Sequence, residues 1–322
     1  MIDPDRIRGG LLGAAVGDAL GMPVEGLSHQ NVRTYYKGVK GLRGDEKRED
    51  LGSGQWTGRT QRLFALARAL AETDEPRALA QRYGEELVAL RPVARRWDPA
   101  TRAAVERLAE QREEPSEETG PATVGAAVAA APLGVWWADE AATREDLLAL
   151  LAASLGVAHP QPEALAAAFG QAFAVRYLIE RDPDALGGGA FLQGVTEATA
   201  WADDQLGVPG AGPAARLRTL QAHLGAFPLD LQDLCGGTGP AADEAWPFAV
   251  AMVARNPALL EATLLPAVNV GGDAASVGAL VGALLGALHG WEAFPADWRE
   301  GLEDREGLEA EATRLAEALA DG

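Results

Sequence analysis

The hydrophobic pattern of this chain is helical almost from end to end. Apolar residues return at intervals of three and four, while Val, Ile and Thr never gather into alternating runs, so a sheet has little support. Gly and Pro punctuation divides the pattern into helices predicted near 6–21, 60–72, 76–91, 99–113, 123–138, 144–156, 162–181, 190–206, 214–225, 243–254, 257–264, 274–290 and 306–320. The last of these reads as an amphipathic closing helix, and the segments 113–120 and 207–213 read as surface loops. No linker is long enough to divide the chain, which is therefore read as one all-α domain spanning 1–322. One long interruption, 26–56, carries Gly38, Gly41, Gly44, Gly52 and Gly54 and a charged run at 45–50. A loop of that length is either functional or a surface excursion, and the pattern leaves both readings open.

Two helices carry glycine at every fourth position. Gly9, Gly13, Gly17 and Gly21 form one ladder, and Gly278, Gly282, Gly286 and Gly290 form the other. Spacing four keeps residues on one slowly winding face. Each interior glycine costs about 1 kcal/mol relative to alanine. Close backbone approach is the compensating gain, so the two helices are expected to be central and tightly packed. Such ladders are best known in membranes, but Asp18 lies inside the first one.

Composition narrows the picture. Hydrophobic residues make up 48% and aromatics only 6%, so Ala and Leu, both helix formers, build the core. The net charge of −19 repels a phosphate backbone and argues against nucleic acid and anionic membranes as partners. A small anion can still be held locally at a helix N-terminus. The single cysteine, Cys235, cannot form an intrachain disulfide, which suits a reducing compartment. Acids stand near the N-terminus where a signal peptide would carry bases. A cytoplasmic location is expected on these grounds. The apolar stretches 122–138 and 274–289 read as buried helices, since Pro132 interrupts the first and the second is short for a span of about 20 residues.

The ends of the ladders carry the candidate chemistry. The first runs through Asp18 and ends near Glu25, placing one carboxylate inside an apolar helix and another just beyond it. A buried Asp needs a partner. The second follows Gly271 and Gly272, with Asp273 capping the helix. His159, before Pro160, reads as a helix-ending residue with local bonds. His29, His223 and His289 show no ligand spacing. Cys235-Gly236-Gly237 has no triad context, and the 236–239 loop either approaches a ligand or simply turns.

These segments resemble the ADP-ribosylglycohydrolase family. Its opening motif is similar to Arg8-Gly9-Gly10-Leu11-Leu12-Gly13-Ala14-Ala15-Val16-Gly17-Asp18-Ala19-Leu20-Gly21-Met22-Pro23-Val24-Glu25. Its Trp-Thr-Asp-Asp-Thr element aligns with Trp56-Thr57-Gly58-Arg59-Thr60. A middle element resembles Gly125-Ala126-Ala127-Val128-Ala129-Ala130-Ala131-Pro132, and a Thr-His element resembles Ala158-His159-Pro160. The final Asn-x-Gly-Gly-Asp-x-Asp-Thr element resembles Asn269-Val270-Gly271-Gly272-Asp273-Ala274-Ala275-Ser276. The five matches lie in order over about 6–290. The resemblance implies an orthogonal multi-helix bundle with a central cleft, two Mg²⁺ ions bound there, and hydrolysis of the bond joining ADP-ribose to a protein side chain.

The chain departs from this pattern at the metal ligands. Thr57 is kept, but Gly58 and Arg59 stand where paired carboxylates are expected. Asp273 is kept, but Ala275 replaces its partner and Ser276 follows. Only Thr57, Asp273 and Ser276 remain of the metal set. No resident metal is therefore expected, though residual Mg²⁺ binding stays open. Arg59 either reaches Asp273 in place of a metal's charge or points to solvent. Replacing Gly58, Arg59 and Ala275 by Asp is expected to restore Mg²⁺ binding.

The preferred reading is a pseudoenzyme that binds ADP-ribose or a related nucleotide, free or on a modified protein, without efficient Mg²⁺-dependent hydrolysis. Asp18, Thr57, Arg59, Gly125, His159, Gly271, Gly272 and Ser276 are candidate ligand-binding residues. Glu25 and Asp273 are the candidate catalytic carboxylates. The alternatives are a hydrolase working with one metal or none, and a non-enzymatic interaction protein. The sequence leaves the oligomeric state undetermined.

Overall fold

Proline sets the start of many of these helices. It is the first residue of six of the α-helices below, where its missing N–H is no loss and its fixed φ suits the helix. The computed structural model describes residues 2–44, 52–110, 120–139 and 142–321. The charged run 45–50 and most of the loop 113–120 lie outside the described residues. In chain order the α-helices are α1 (Pro4–Gly21), α2 (His29–Asn31), α3 (Gly58–Leu70), α4 (Pro76–Leu90), α5 (Pro99–Ala109), α6 (Gly125–Ala129), α7 (Ala131–Asp139), α8 (Arg144–Ser154) and α9 (Pro162–Ile179). They continue as α10 (Gly188–Leu206), α11 (Pro213–Gln221), α12 (Pro228–Leu234), α13 (Ala245–Arg255), α14 (Leu260–Asn269), α15 (Ala274–His289), α16 (Ala296–Gly301) and α17 (Arg305–Asp321). Among the described residues there is no strand, only isolated bridges such as Ser28 to Gly271.

The glycine ladders face each other. Gly9 lies against Gly286, Gly13 against Gly282, Gly17 against Gly278 and Gly21 against Ala274, so α1 and α15 run antiparallel. A Cβ added to Gly17 would fall on the Gly278 carbonyl, and one added to Gly278 would fall on the Gly17 carbonyl. Residues 9–21 of α1 and 274–288 of α15 are all buried. Gly290 has another task. It ends α15 at φ +87°, the left-handed region open to glycine.

Around this pair the core is built from Ala and Leu with a few large rings, among them Trp246, Phe169, Phe191 and Phe248. Two of its buried polar side chains pair with each other: Trp246 Nε1 donates to Gln171 Oε1 at 3.1 Å, and Gln171 Nε2 donates to the Leu280 carbonyl at 3.3 Å. Among the described residues no helix is long and apolar enough to cross a membrane.

Several boundaries differ from the sequence pattern for identifiable reasons. The expected helix 123–138 is two helices broken at Ala130, because Pro132 cannot donate to a preceding turn. The helix expected at 257–264 lies at Leu260–Asn269 and tolerates Pro266 inside it. The short helices α12 and α16 fell in stretches too brief to show a period. The long interruption 26–56 is partly ordered: Ser28 caps α2, which runs into a π-helical turn at Val32–Tyr36 and stops at Lys37, φ 55°.

Candidate functional site

The cleft lies where the ladder helices end. Past α1, a short 3₁₀ turn at Met22–Val24 leads to Glu25, and Gly26 follows at φ +79°. The chain then clasps the start of α15. Gly26 N–H donates to the Gly272 carbonyl at 2.8 Å, and Gly272 N–H donates to the Leu27 carbonyl at 2.9 Å. Gly271 and Gly272 both have positive φ, and any side chain there would strike Leu27 or Thr238. Thr238 in turn accepts the Asp273 N–H through its carbonyl at 2.6 Å. The 236–239 loop, left open above, thus anchors the N-terminus of α15 and also reaches the cleft through Gly239.

Asp18 fixes the start of α3. Its carboxylate is fully buried and accepts from the Thr57 N–H at 2.8 Å, Thr57 Oγ1 at 2.9 Å, Thr60 Oγ1 at 2.8 Å and the Thr60 N–H at 3.3 Å. This is the partner set a buried carboxylate requires. Thr57 passes the arrangement on, since its hydroxyl also accepts from Arg59 Nη1 at 3.2 Å.

Arg59 turns inward. Its Nη2 donates to Asp273 Oδ1 at 2.6 Å and to Glu25 Oε1 at 2.7 Å, and its Nε donates to Ser276 Oγ at 2.7 Å. The solvent-pointing alternative is thereby set aside. Burial alone would lower the Arg59 pKa, but the carboxylates of Asp273, Glu25 and Asp18 outweigh it and hold the value above the ordinary range. The guanidinium is a fixed cation with its donors committed.

A second polar group lies nearby. Arg62 Nη1 is 2.8 Å from His159 Nε2 and 3.0 Å from Asp98 Oδ2. Arginine can only donate, so Nε2 is the acceptor and the proton sits on Nδ1, 3.3 Å from Thr123 Oγ1. Burial first, then Arg62, pushes His159 down to about 4, against the pull of Asp98, so its ring is neutral at pH 7. Burial pushes Asp98 up, but Arg62 and the Thr101 hydrogen bonds outweigh it and hold its carboxyl well below the usual range. Gly125 makes room for this pair, because a Cβ there would lie 2.5 Å from the His159 ring and 2.8 Å from Arg62 Nη1.

Between these groups runs a cleft of about 580 Å³, within the range of roughly 300–1,000 Å³ typical of small-molecule sites. Of the candidate site residues, Glu25, Arg59, Gly125, Gly272, Asp273 and Ser276 line it. Asp18, Thr57, His159 and Gly271 do not. They stand behind the wall and position it. Arg62, Arg96, Trp97 and Asp98 line the cleft and were missed. Two signals pointed to them: Arg62 follows Arg59 by three residues on one helical face, and Asp98-Pro99 is a helix-start signature.

Gly58 also requires a correction. A Cβ there would sit 2.5 Å from the Arg95 carbonyl oxygen and closer still to the Trp97 ring. The 93–97 segment is pinned there by Gln61, whose Nε2 donates to the Val93 carbonyl at 2.8 Å and whose Oε1 accepts from Trp97 Nε1 at 3.0 Å. An aspartate cannot be restored at this position without displacing that segment.

Comparison with known proteins agrees with this architecture. The family model for ADP-ribosylglycohydrolase matches residues 2–322. An uncharacterized protein of Archaeoglobus fulgidus is 30% identical over 324 residues, covering 97% of this chain and 96% of its own. A solved structure described as an ADP-ribosylglycohydrolase-related protein complex superposes with a TM-score of 0.71 at 29% identity, covering 98% of both chains. The chain belongs to the ADP-ribosylglycohydrolase family, and its all-α fold is the fold of that family.

Proposed function

We propose that the cleft binds ADP-ribose or a closely related nucleotide without magnesium-dependent hydrolysis. The observation that carries this reading is Arg59, whose guanidinium bonds to Asp273, the carboxylate kept at the expected metal position, and to the neighbouring Glu25. Mg²⁺ demands near-octahedral oxygen coordination. The Glu25, Asp273, Ser276 and Thr57 oxygens already accept from Arg59. A metal would have to displace a buried cation that is charge-matched where it stands. The residues present therefore do not fit a pair of Mg²⁺ ions. Among the described residues no group of three or more His, Cys, Asp or Glu is arranged to hold a metal.

Arg59 supplies one positive charge in a fixed fork. It preserves the orientation of Glu25 and Asp273, which offer acceptors for ribose hydroxyls. It provides no bound water lowered in pKa, which is what a metal would contribute to hydrolysis. The ligand is expected free or attached to a modified protein.

Calorimetry with ADP-ribose tests this reading. Saturable binding is expected, with affinity unchanged within about twofold by millimolar Mg²⁺. Absence of heat at millimolar ADP-ribose would leave an interaction protein with a filled cleft. Release of ADP-ribose from modified arginine or serine peptides, abolished by Glu25→Gln or Asp273→Asn, would replace the proposal with an active hydrolase. Because Gly58 has no room for a side chain, the metal-restoring variant is Arg59→Asp with Ala275→Asp. It is expected to gain a Mg²⁺-dependent rise in Tm that the parent lacks.

A further inference from the structure

We propose that His29, Arg33 and Lys37 form a second site, separate from the cleft, that binds a phosphoryl or diphosphate group. The proposal does not depend on what the cleft binds.

The first observation is charge. The chain holds 47 acidic residues against 28 Lys and Arg. Yet the segment 26–44 contains Arg33, Lys37, Lys40 and Arg43 and no Asp or Glu at all. A solvated face of so acidic a protein would ordinarily mix the two signs. Here one sign is collected.

The second observation is geometry. Spacing of four brings His29, Arg33 and Lys37 to one side of the turn formed by α2 and the π-helical residues after it. Together with Gly38 and Asn269 they line a depression of about 420 Å³, and no carboxylate is among the described residues lining it. None of these five residues lines the main cleft. Arg33 and Lys37 form no ion pair among the described residues, whereas neighbouring Arg43 is committed to Tyr36, stacking at 4.9 Å and donating to its carbonyl at 3.3 Å.

The third observation is rigidity. Asn269, the last residue of α14, holds both ends of the segment. Its carbonyl accepts from His29 Nδ1 at 2.8 Å, its Oδ1 accepts from the Val39 N–H at 2.7 Å, and its Nδ2 donates to the Val39 carbonyl at 3.0 Å. Lys37 adopts left-handed backbone, φ 55°, which a lysine rarely does. The frame therefore keeps the cations of Arg33 and Lys37 on one side of the turn, beside the His29 ring, although the two cations repel each other. A multiply charged, tetrahedral oxyanion with several acceptor oxygens relieves that repulsion, and it suits the many donors of Arg33 and Lys37 better than a single planar carboxylate does.

The test is a titration with pyrophosphate at low ionic strength, where screening is weak. It is followed by calorimetry and by the ring-proton resonance of His29, one of only four histidines in the chain. Saturable binding with movement of the His29 resonance is expected. Arg33→Gln with Lys37→Asn should weaken it at least tenfold; asparagine tolerates the left-handed backbone, and circular dichroism checks the fold. Arg77→Gln with Arg102→Gln removes the same charge elsewhere and should change affinity less than twofold. Inorganic phosphate and ADP as alternative titrants separate a free anion from the phosphates of a nucleotide, and binding of either at this site supports it. The proposal is overturned if the Arg33/Lys37 variant binds within twofold of the parent, if the charge control loses as much, or if neither heat nor a His29 shift is seen.

Discussion

The same two helices obey different rules at their middle and at their ends. Along the ladder, α1 and α15 meet backbone to backbone, and every contact residue is fixed by space alone. At the cleft, the same helices hand over to Asp18, Glu25, Arg59, Asp273 and Ser276, where the constraint is charge and hydrogen bonding. The ladder admits no side chain whatever the cleft binds. The cleft admits different side chains provided that each buried charge finds its partner. On the function proposed above, this contrast explains how a family scaffold can be kept while the side chains of its cleft change.

The strongest way to break the comparison is to remove the cation. Arg59→Ala leaves the carboxylates of Asp273 and Glu25 together without a counter-charge, and losing one partner of a buried pair costs about 3–5 kcal/mol. Urea unfolding at pH 7 measures it. A variant as stable as the parent would show that the guanidinium contributes little to holding the two carboxylates.

The ladder is tested by a single methyl group. Gly17→Ala places a Cβ on the Gly278 carbonyl, and rigid backbone on the other side cannot move aside. Overpacking of this kind costs about 3 kcal/mol at its upper end, against a gain of about 1 kcal/mol in helix propensity. A thermal melt should show the loss. A variant as stable as the parent would mean that the two helices separate freely, and the contrast drawn above would collapse.

His159 supplies a smaller, pH-dependent effect. Its folded value of about 4 lies below the ordinary 6.5. The unfolded chain therefore binds more protons between those values, and stability rises with pH across that window and is lost as pH falls through it. From pH 7 to pH 5 the loss from this one group is about 2 kcal/mol. His159→Gln should flatten that part of the stability curve. An unchanged slope would place the titrating group elsewhere.

Legibility in the sequence followed the same division. The ladders were readable because close backbone packing leaves only glycine, and glycine is costly enough in a helix to be noticed. The family motifs were readable because Asp18, Glu25, Asp273 and the glycines beside them occur at fixed spacing. The inward turn of Arg59 was not decided by sequence, since an arginine in the first turn of a helix has room to face either way. Trp97 and Asp98 were missed because they reach the cleft only after the 93–97 segment folds against α3, a contact set by Gln61 that no local pattern announces. The roles of Asp18 and His159 were half legible. Their need for partners was clear, but their place behind the wall depends on tertiary packing.

Gly10 provides the finest test, because it lies in the same helix as Gly9 and Gly13 but off the ladder. A Cβ at Gly10 would lie 3.6 Å from the Ala287 Cβ, an ordinary van der Waals distance, with no backbone atom closer than 3.8 Å. Gly10→Ala should then recover helix propensity and restrict the unfolded chain, a gain of about 0.5–1 kcal/mol. The neighbouring Gly9→Ala would strike the Gly286 carbonyl and should lose stability. The two substitutions are chemically identical and one residue apart, so propensity cannot distinguish them and only the spacing of the ladder can. If both variants were stabilised, the glycines would be a compositional habit of a small-residue core. If Gly10→Ala is stabilised and Gly9→Ala is not, the face of α1 turned to α15 is defined to within one residue.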